Sequence, residues 1–164
     1  MGVVKSQRGF TLIEILVVLV IIGIMAGLVG VNMMPDDDRV VRNEAQRLAL
    51  LLEQTRDQAV ASGEPIAFSV ESRRYRFWTR DAENQWMPHH GDELLQDRPL
   101  ADGVQLAALQ VSQTSLAPGE RLLFLPAGSN APFTADLVLN AAHARIRGDS
   151  LGRVRVELRQ DVAQ

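Results

Sequence analysis

The sequence predicts an α+β protein: one long N-terminal helix, transmembrane and then amphipathic, packed on an antiparallel β-sheet or small β-sandwich. Three observations carry that prediction. An apolar run from Phe10 to Met34 is long enough to cross a bilayer as a helix. A helical stripe of apolar residues follows between Arg39 and Ser62. The remaining segment, about 100 residues, consists of short alternating runs punctuated by glycine and proline.

Lys5 and Arg8 precede the apolar run and no acid stands among the first nine residues. The positive-inside rule therefore keeps the N-terminus in the cytoplasm and sends the rest across the membrane. The run is too long for a secretory h-region and continues straight into helix-forming sequence, so cleavage on the far side is not expected. Glu14 interrupts it near its start. A carboxylate inside an apolar helix costs roughly 2–3 kcal/mol at the bilayer centre, less near an end, and such residues mark a function or a partner. Gly23 and Gly27 are four apart, as are Ala26 and Gly30, giving small-residue ridges on which helices can approach closely. No proline falls inside the run before Pro35.

Pro35-Asp36-Asp37-Asp38 is a solvated break, and an aspartate there suits a helix N-cap. The three carboxylates lack other oxygen ligands at calcium-loop spacing, so capping is the preferred reading. Val41, Ala45, Leu48, Leu52, Thr55 and Ala59 form the buried stripe of the helix, with Arg42, Asn43, Gln46, Arg56 and Asp57 largely off it. Gly63 stops the helix and Pro65 prevents its restart. Ile66–Val70 and Tyr75–Trp78 alternate around Glu71–Arg74 and read as a hairpin. Further strands are expected at Val104–Val111, Leu122–Leu125, Ala135–Leu139, Ala144–Ile146 and Val154–Leu158.

Chemistry-bearing patterns are sparse. The chain has no cysteine, hence no thiol nucleophile, zinc knuckle or disulfide. His89-His90, with Asp92 and Glu93 nearby, has no third ligand at a metal-site spacing and reads as a polar loop. No serine lies in a nucleophile elbow and no glycine-rich phosphate loop precedes a helix. No metal, no cofactor and no enzymatic activity are expected. Trp78 and Trp86 read as core or interface aromatics. The segment from Asp81 to Leu100 is long for a domain of this size, and the expectation is a loop ordered by a neighbouring subunit.

The string Gly9-Phe10-Thr11-Leu12-Ile13-Glu14, followed by an aliphatic helix, resembles the class III leader of type IV pilins and type II secretion pseudopilins. The resemblance implies that a prepilin peptidase cuts between Gly9 and Phe10 and methylates Phe10. It also implies that Glu14 pairs with the N-terminal amine of a neighbouring subunit, an arrangement in which two buried charges offset one another. The division that follows is a leader at 1–9, a transmembrane assembly helix at 10–34, its amphipathic continuation at 35–63 and a periplasmic β domain at 64–164, anchored in a bacterial inner membrane.

Later strings narrow the resemblance. Leu52-Glu53-Gln54-Thr55-Arg56-Asp57-Gln58-Ala59, Phe124-Leu125-Pro126-Ala127-Gly128, Pro132-Phe133 and Gly152-Arg153-Val154-Arg155 are similar to the GspH/FimT family of minor pilin-like proteins. That family implies a pilin-like fold and a type II secretion minor pseudopilin of the H type near the pseudopilus tip. Its implied partners are other minor and major pseudopilins, the prepilin peptidase and the inner-membrane secretion machinery. The alternative is a type IV pilus minor pilin of the FimT kind, gripping DNA through Arg153 and Arg155. Charge speaks against nucleic acid: loss of Lys5 and Arg8 with the leader takes 17 basic residues to 15 against 20 acids, a side-chain charge near −5. Asp149, Glu157 and Asp161 also interrupt the C-terminal arginines, with little aromatic interleaving for base stacking.

Overall fold

The computed structural model of the protein describes residues 12–32, 37–71, 73–90, 94–117 and 119–158, with backbone alone for 26–32. The chain divides into two compact units, Met1–Pro35 and Asp36–Gln164. The first contains helix α1, Leu12–Asn32. Its described side chains, Leu12 to Met25, are all exposed. Among the described residues no helix is long and apolar enough to cross a membrane. The span expected at Phe10–Met34 extends beyond the described side chains at both ends.

The second unit opens with α2, Asp37–Ser62, whose first turn carries Asp37 and Asp38. Carboxylates there favour the helix dipole. All six stripe residues, from Val41 to Ala59, are buried. Gly63 ends the helix with φ +72° and donates its N–H to Ala59 O at 3.1 Å, the left-handed stop that only glycine adopts without strain.

Among the described residues ten strands follow: β1 Ile66–Glu71, β2 Arg74–Arg80, β3 Trp86–Pro88, β4 Arg98–Pro99, β5 Gln105–Val111, β6 Thr114–Ser115, β7 Leu122–Phe124, β8 Phe133–Leu139, β9 Ala142–Gly148 and β10 Val154–Leu158. They form two antiparallel sheets. One runs β3-β2-β1-β7, with β4 also on β2; the other runs β10-β9-β8-β5-β6. The hairpin expected around Glu71–Arg74 forms, with Glu71 opposite Arg74 and Phe68 opposite Phe77.

α2 packs against β8, β9 and β10 and reaches β1 and β7. Strand β9 alternates buried and exposed residues along its whole length, and two of its inward residues are the small Ala142 and Ala144. Small side chains under the helix let it approach closely. The sheets meet through Phe124 of β7 and Phe133 of β8, whose rings stand edge to face with centroids 6.2 Å apart. Phe68, Tyr75 and Phe77 build a second aromatic group, with centroid spacings of 5.5–6.3 Å.

The segment from Asp81 to Leu100 departs from the expected loop. Its described residues are fastened by their own domain: β3 and β4 pair with the two ends of β2, and Leu95 and Leu100 are buried. Asp97 bridges Arg74 and Arg76. Alternate β2 residues on one face bring those arginines together, a pairing that a scan for apolar alternation does not register. Trp86 and Trp78 are half-buried under cations, Arg80 over Trp86 at 4.9 Å and Arg121 over Trp78 at 4.4 Å from the ring centroid.

Candidate functional site

Three places carry the residues singled out by sequence. Gly9 and Phe10 lie outside the described residues. Glu14 stands in the first turn of α1 and is exposed, on a helix otherwise apolar along its described side chains. A Cβ on Gly23 would meet nothing within 4 Å, so that flank of the helix is open to close approach by another helix. Gly27 falls where only backbone is described, inside α1.

The second place is a junction where the later strings converge. Glu53, on α2, accepts a hydrogen bond from the Val154 backbone N–H at 3.0 Å, tying the helix to the start of β10. Arg56, one turn on, lies across Gly152, whose φ is +78°; a Cβ there would sit 2.5 Å from Arg56 Nε. The same side chain passes Gly128, where a Cβ would lie 3.9 Å from Arg56 Nη2 and 3.5 Å from Val60 Cγ2. The 125–130 turn is closed by Asn130, whose Oδ1 accepts from Leu125 N–H at 2.7 Å while its own N–H reaches Ser150 O at 3.2 Å. The strings Leu52–Ala59, Phe124–Gly128 and Gly152–Arg155, far apart in sequence, thus form one seam between α2, β7 and β10. Asn130 was not foreseen; a polar residue flanked by a Gly-containing turn and Pro132 is the signal that points to it.

The third place is the outward face of β8, β9 and β10. Register aligns Asp136 with Arg145, Arg145 with Glu157, and Arg147 with Arg155. Asp136 accepts both arms of Arg145 at 2.6 and 3.0 Å, and this hydrogen-bonded pairing holds the guanidinium pKa above its ordinary value. Arg147 pairs with Glu157 at 3.1 Å. In the β9–β10 turn Arg153 pairs with Asp149 at 3.0 Å, while Asp149 Oδ1 accepts the N–H groups of Leu151 and Arg153. The backbone N–H of Arg153 is the largest influence on Asp149, and with the further bonds it outweighs partial desolvation and holds the carboxyl below its usual range. Of the two arginines that the alternative, DNA-gripping reading singles out, Arg153 is committed to Asp149. The Arg155 side chain forms no ion pair among the described residues.

His89 donates its backbone N–H to Phe77 O at 2.8 Å and His90 is exposed; Asp92 and Glu93 lie outside the described residues. Among the described residues no group of three or more His, Cys, Asp and Glu is placed to hold a metal ion.

The chain is similar to known proteins in sequence and in fold. Residues 44–152 match the family described as Type II transport protein GspH, and residues 4–30 match the prokaryotic N-terminal methylation motif. Type II secretion system protein H of Aeromonas hydrophila is 26% identical over 170 residues, covering 92% of this chain and 93% of that protein. Its counterpart from Pseudomonas aeruginosa is 29% identical over 168 residues, covering 94% of this chain and 98% of that one. Among solved structures, the minor pseudopilin EpsH from the type 2 secretion system of Vibrio cholerae shares the fold with a TM-score of 0.60 at 21% identity, over 72% of this chain and 96% of that chain. Because the matched region runs from Glu44 on α2 to Gly152 under Arg56, well over half of the chain, the chain belongs to the GspH family of type II transport proteins.

Proposed function

We propose that the chain is a minor pseudopilin of a type II secretion system, a structural subunit rather than an enzyme, that joins a fibre near its tip and takes part in exporting folded proteins. The observation that carries this reading is α1: a helix with every described side chain exposed, apolar but for Glu14, lying largely within the match to the methylation motif and followed in the chain by the region that matches the GspH family. Exposed aliphatic surface on this scale is covered by lipid before assembly and by neighbouring helices after it.

On this reading a prepilin peptidase cleaves between Gly9 and Phe10 and methylates Phe10. The helix then anchors the subunit in the inner membrane, with its β domain in the periplasm. Glu14 neutralises the new amino group of an adjacent subunit, and Gly23 and Gly27 let the helices pack closely. The partners are other minor and major pseudopilins, the peptidase and the inner-membrane machinery.

The test separates anchoring from assembly. Glu14→Ala should leave the protein in the membrane fraction with an unchanged mature mass, yet lower secretion about tenfold or more, because a buried ammonium is left without its counter-charge. Substituting a bulky residue for Gly9 should retain the leader, read by intact mass. Normal secretion by Glu14→Ala, or native material still beginning at Met1, would overturn the reading.

A further inference from the structure

The end of the second sheet nearest the β9–β10 turn carries a concavity of about 400 Å³. The β5–β6 turn at Ser112-Gln113, the Pro132–Thr134 segment and Arg147–Asp149 frame it. Two features mark it apart from an ordinary sheet end. Ser112 and Gln113 both hold left-handed conformations, φ +50° and +69°, where a hairpin turn ordinarily places asparagine or glycine. Ser112 is held there by donating its N–H to Pro132 O at 2.8 Å, which keeps one rim of the concavity in place.

The charges beside it are unbalanced. Arg147 and Arg155 face each other across β9 and β10, like charges on neighbouring strands, which repel. Glu157 answers Arg147 and Asp149 answers Arg153, so three arginines meet two acids and Arg155 is the surplus cation. The chain as a whole has the opposite sign, −3.

We infer that this surface docks an acidic, extended segment of another protein subunit, which seats an apolar side chain against exposed Pro132 and places a carboxylate between Arg147 and Arg155. The inference extends the assembly reading and rests on it. Charge complementarity selects the occupant: one surplus cation beside an apolar hollow suits a single carboxylate on a protein. It is too little for a run of phosphates, and Phe133, the one aromatic ring here, is buried and offers no face for stacking a base.

The test uses the full-length chain in secreting cells, with a photo-crosslinking amino acid at Gln113 and, as a control, at exposed Leu94 on the far segment. Gln113 should give an adduct with a different protein that the Leu94 probe does not give. Arg155→Glu should reduce that adduct about fivefold, the scale of one rim charge pair. The substitution places an acid opposite Arg147, so the fold gains a cross-strand pair, and Arg155→Lys should retain most of the adduct. No adduct, a nuclease-sensitive adduct, an adduct with a second copy of this chain, or a yield indifferent to Arg155→Glu would each overturn the inference. Secretion by Glu14→Ala, measured in parallel, keeps the two readings apart: a silent Gln113 probe with Glu14→Ala still blocked removes this surface alone, whereas normal secretion by Glu14→Ala removes the assembly reading.

Discussion

Arg56 rests on Gly152: a Cβ on that glycine would stand 2.5 Å from Arg56 Nε and 2.8 Å from its Cδ. The contact joins α2 to the β9–β10 turn, beside the Glu53 bond to Val154. It explains why glycine occupies position 152.

Gly152→Ala should therefore destabilise the domain by about 2 kcal/mol, from left-handed backbone strain together with displacement of Arg56. In an Arg56→Ala background the same change should cost less, because the steric part is gone while the φ strain stays. Denaturant midpoints of the four proteins give the coupling directly. Strict additivity would show that Arg56 does not press on Gly152.

Gly148 has a harder constraint. A Cβ there would overlap the Phe133 ring, lying 2.5 Å from its Cδ1 and Cζ. Phe133 is buried and packs edge to face on Phe124, so yielding toward the concavity it lines would cost the ring that contact. Gly148→Ala should cost about 3 kcal/mol, more than Gly152→Ala, where a half-exposed arginine can move. Thermal unfolding in matched detergent decides the order; the reverse order would mean that the ring relocates.

Much of this fold could be read from residue periodicity, and the limits of that reading are physical. The α2 stripe and the β1–β2 hairpin follow from spacing alone, because burial repeats every 3.6 residues or every second residue. Strands β3 and β4 carry no such signal: at three and two residues they are too short for any periodicity, and their places are set by pairing with β2. Buried Glu44 was equally invisible, since it is admitted by an ion pair with Arg47 at 2.7 Å. The individual strings of the seam were visible; that Glu53, Arg56, Asn130 and Gly152 meet is a product of sheet topology, which spacing along one strand does not encode.

Tyr75 offers a prediction of opposite sign. It is fully buried, its Oη has no hydrogen-bond partner among the described residues, and burial pushes the phenol pKa up. A buried hydroxyl without a partner costs about 1–3 kcal/mol relative to water. Tyr75→Phe keeps the ring beneath Arg47, whose guanidinium lies 5.7 Å from the centroid, and should leave stability unchanged or raise it by up to about 1 kcal/mol. A loss greater than that in chemical denaturation would show that the hydroxyl is satisfied in solution.

Asp97 should make the domain acid-sensitive. Partial burial pushes its carboxyl up, but hydrogen bonds from Arg76 at 2.7 Å and Arg74 at 3.0 Å outweigh burial and hold it below its ordinary 3.8. A carboxyl depressed on folding contributes stability that is present above its unfolded value and is lost as pH falls toward its folded value. The sensitive window is therefore below about pH 4. Because the side chain is 38% exposed, screening limits the contribution to a few tenths of a kcal/mol up to about 1 kcal/mol. Asp97→Asn should be the less stable protein by that margin at pH 7, with the gap narrowing as both are taken to pH 3, since the unfolded carboxyl takes up its proton there ahead of the native one. Denaturant midpoints at the two pH values measure it, and a gap that persists undiminished at pH 3 would show that the Asp97 bridge holds β4 by geometry and not by charge.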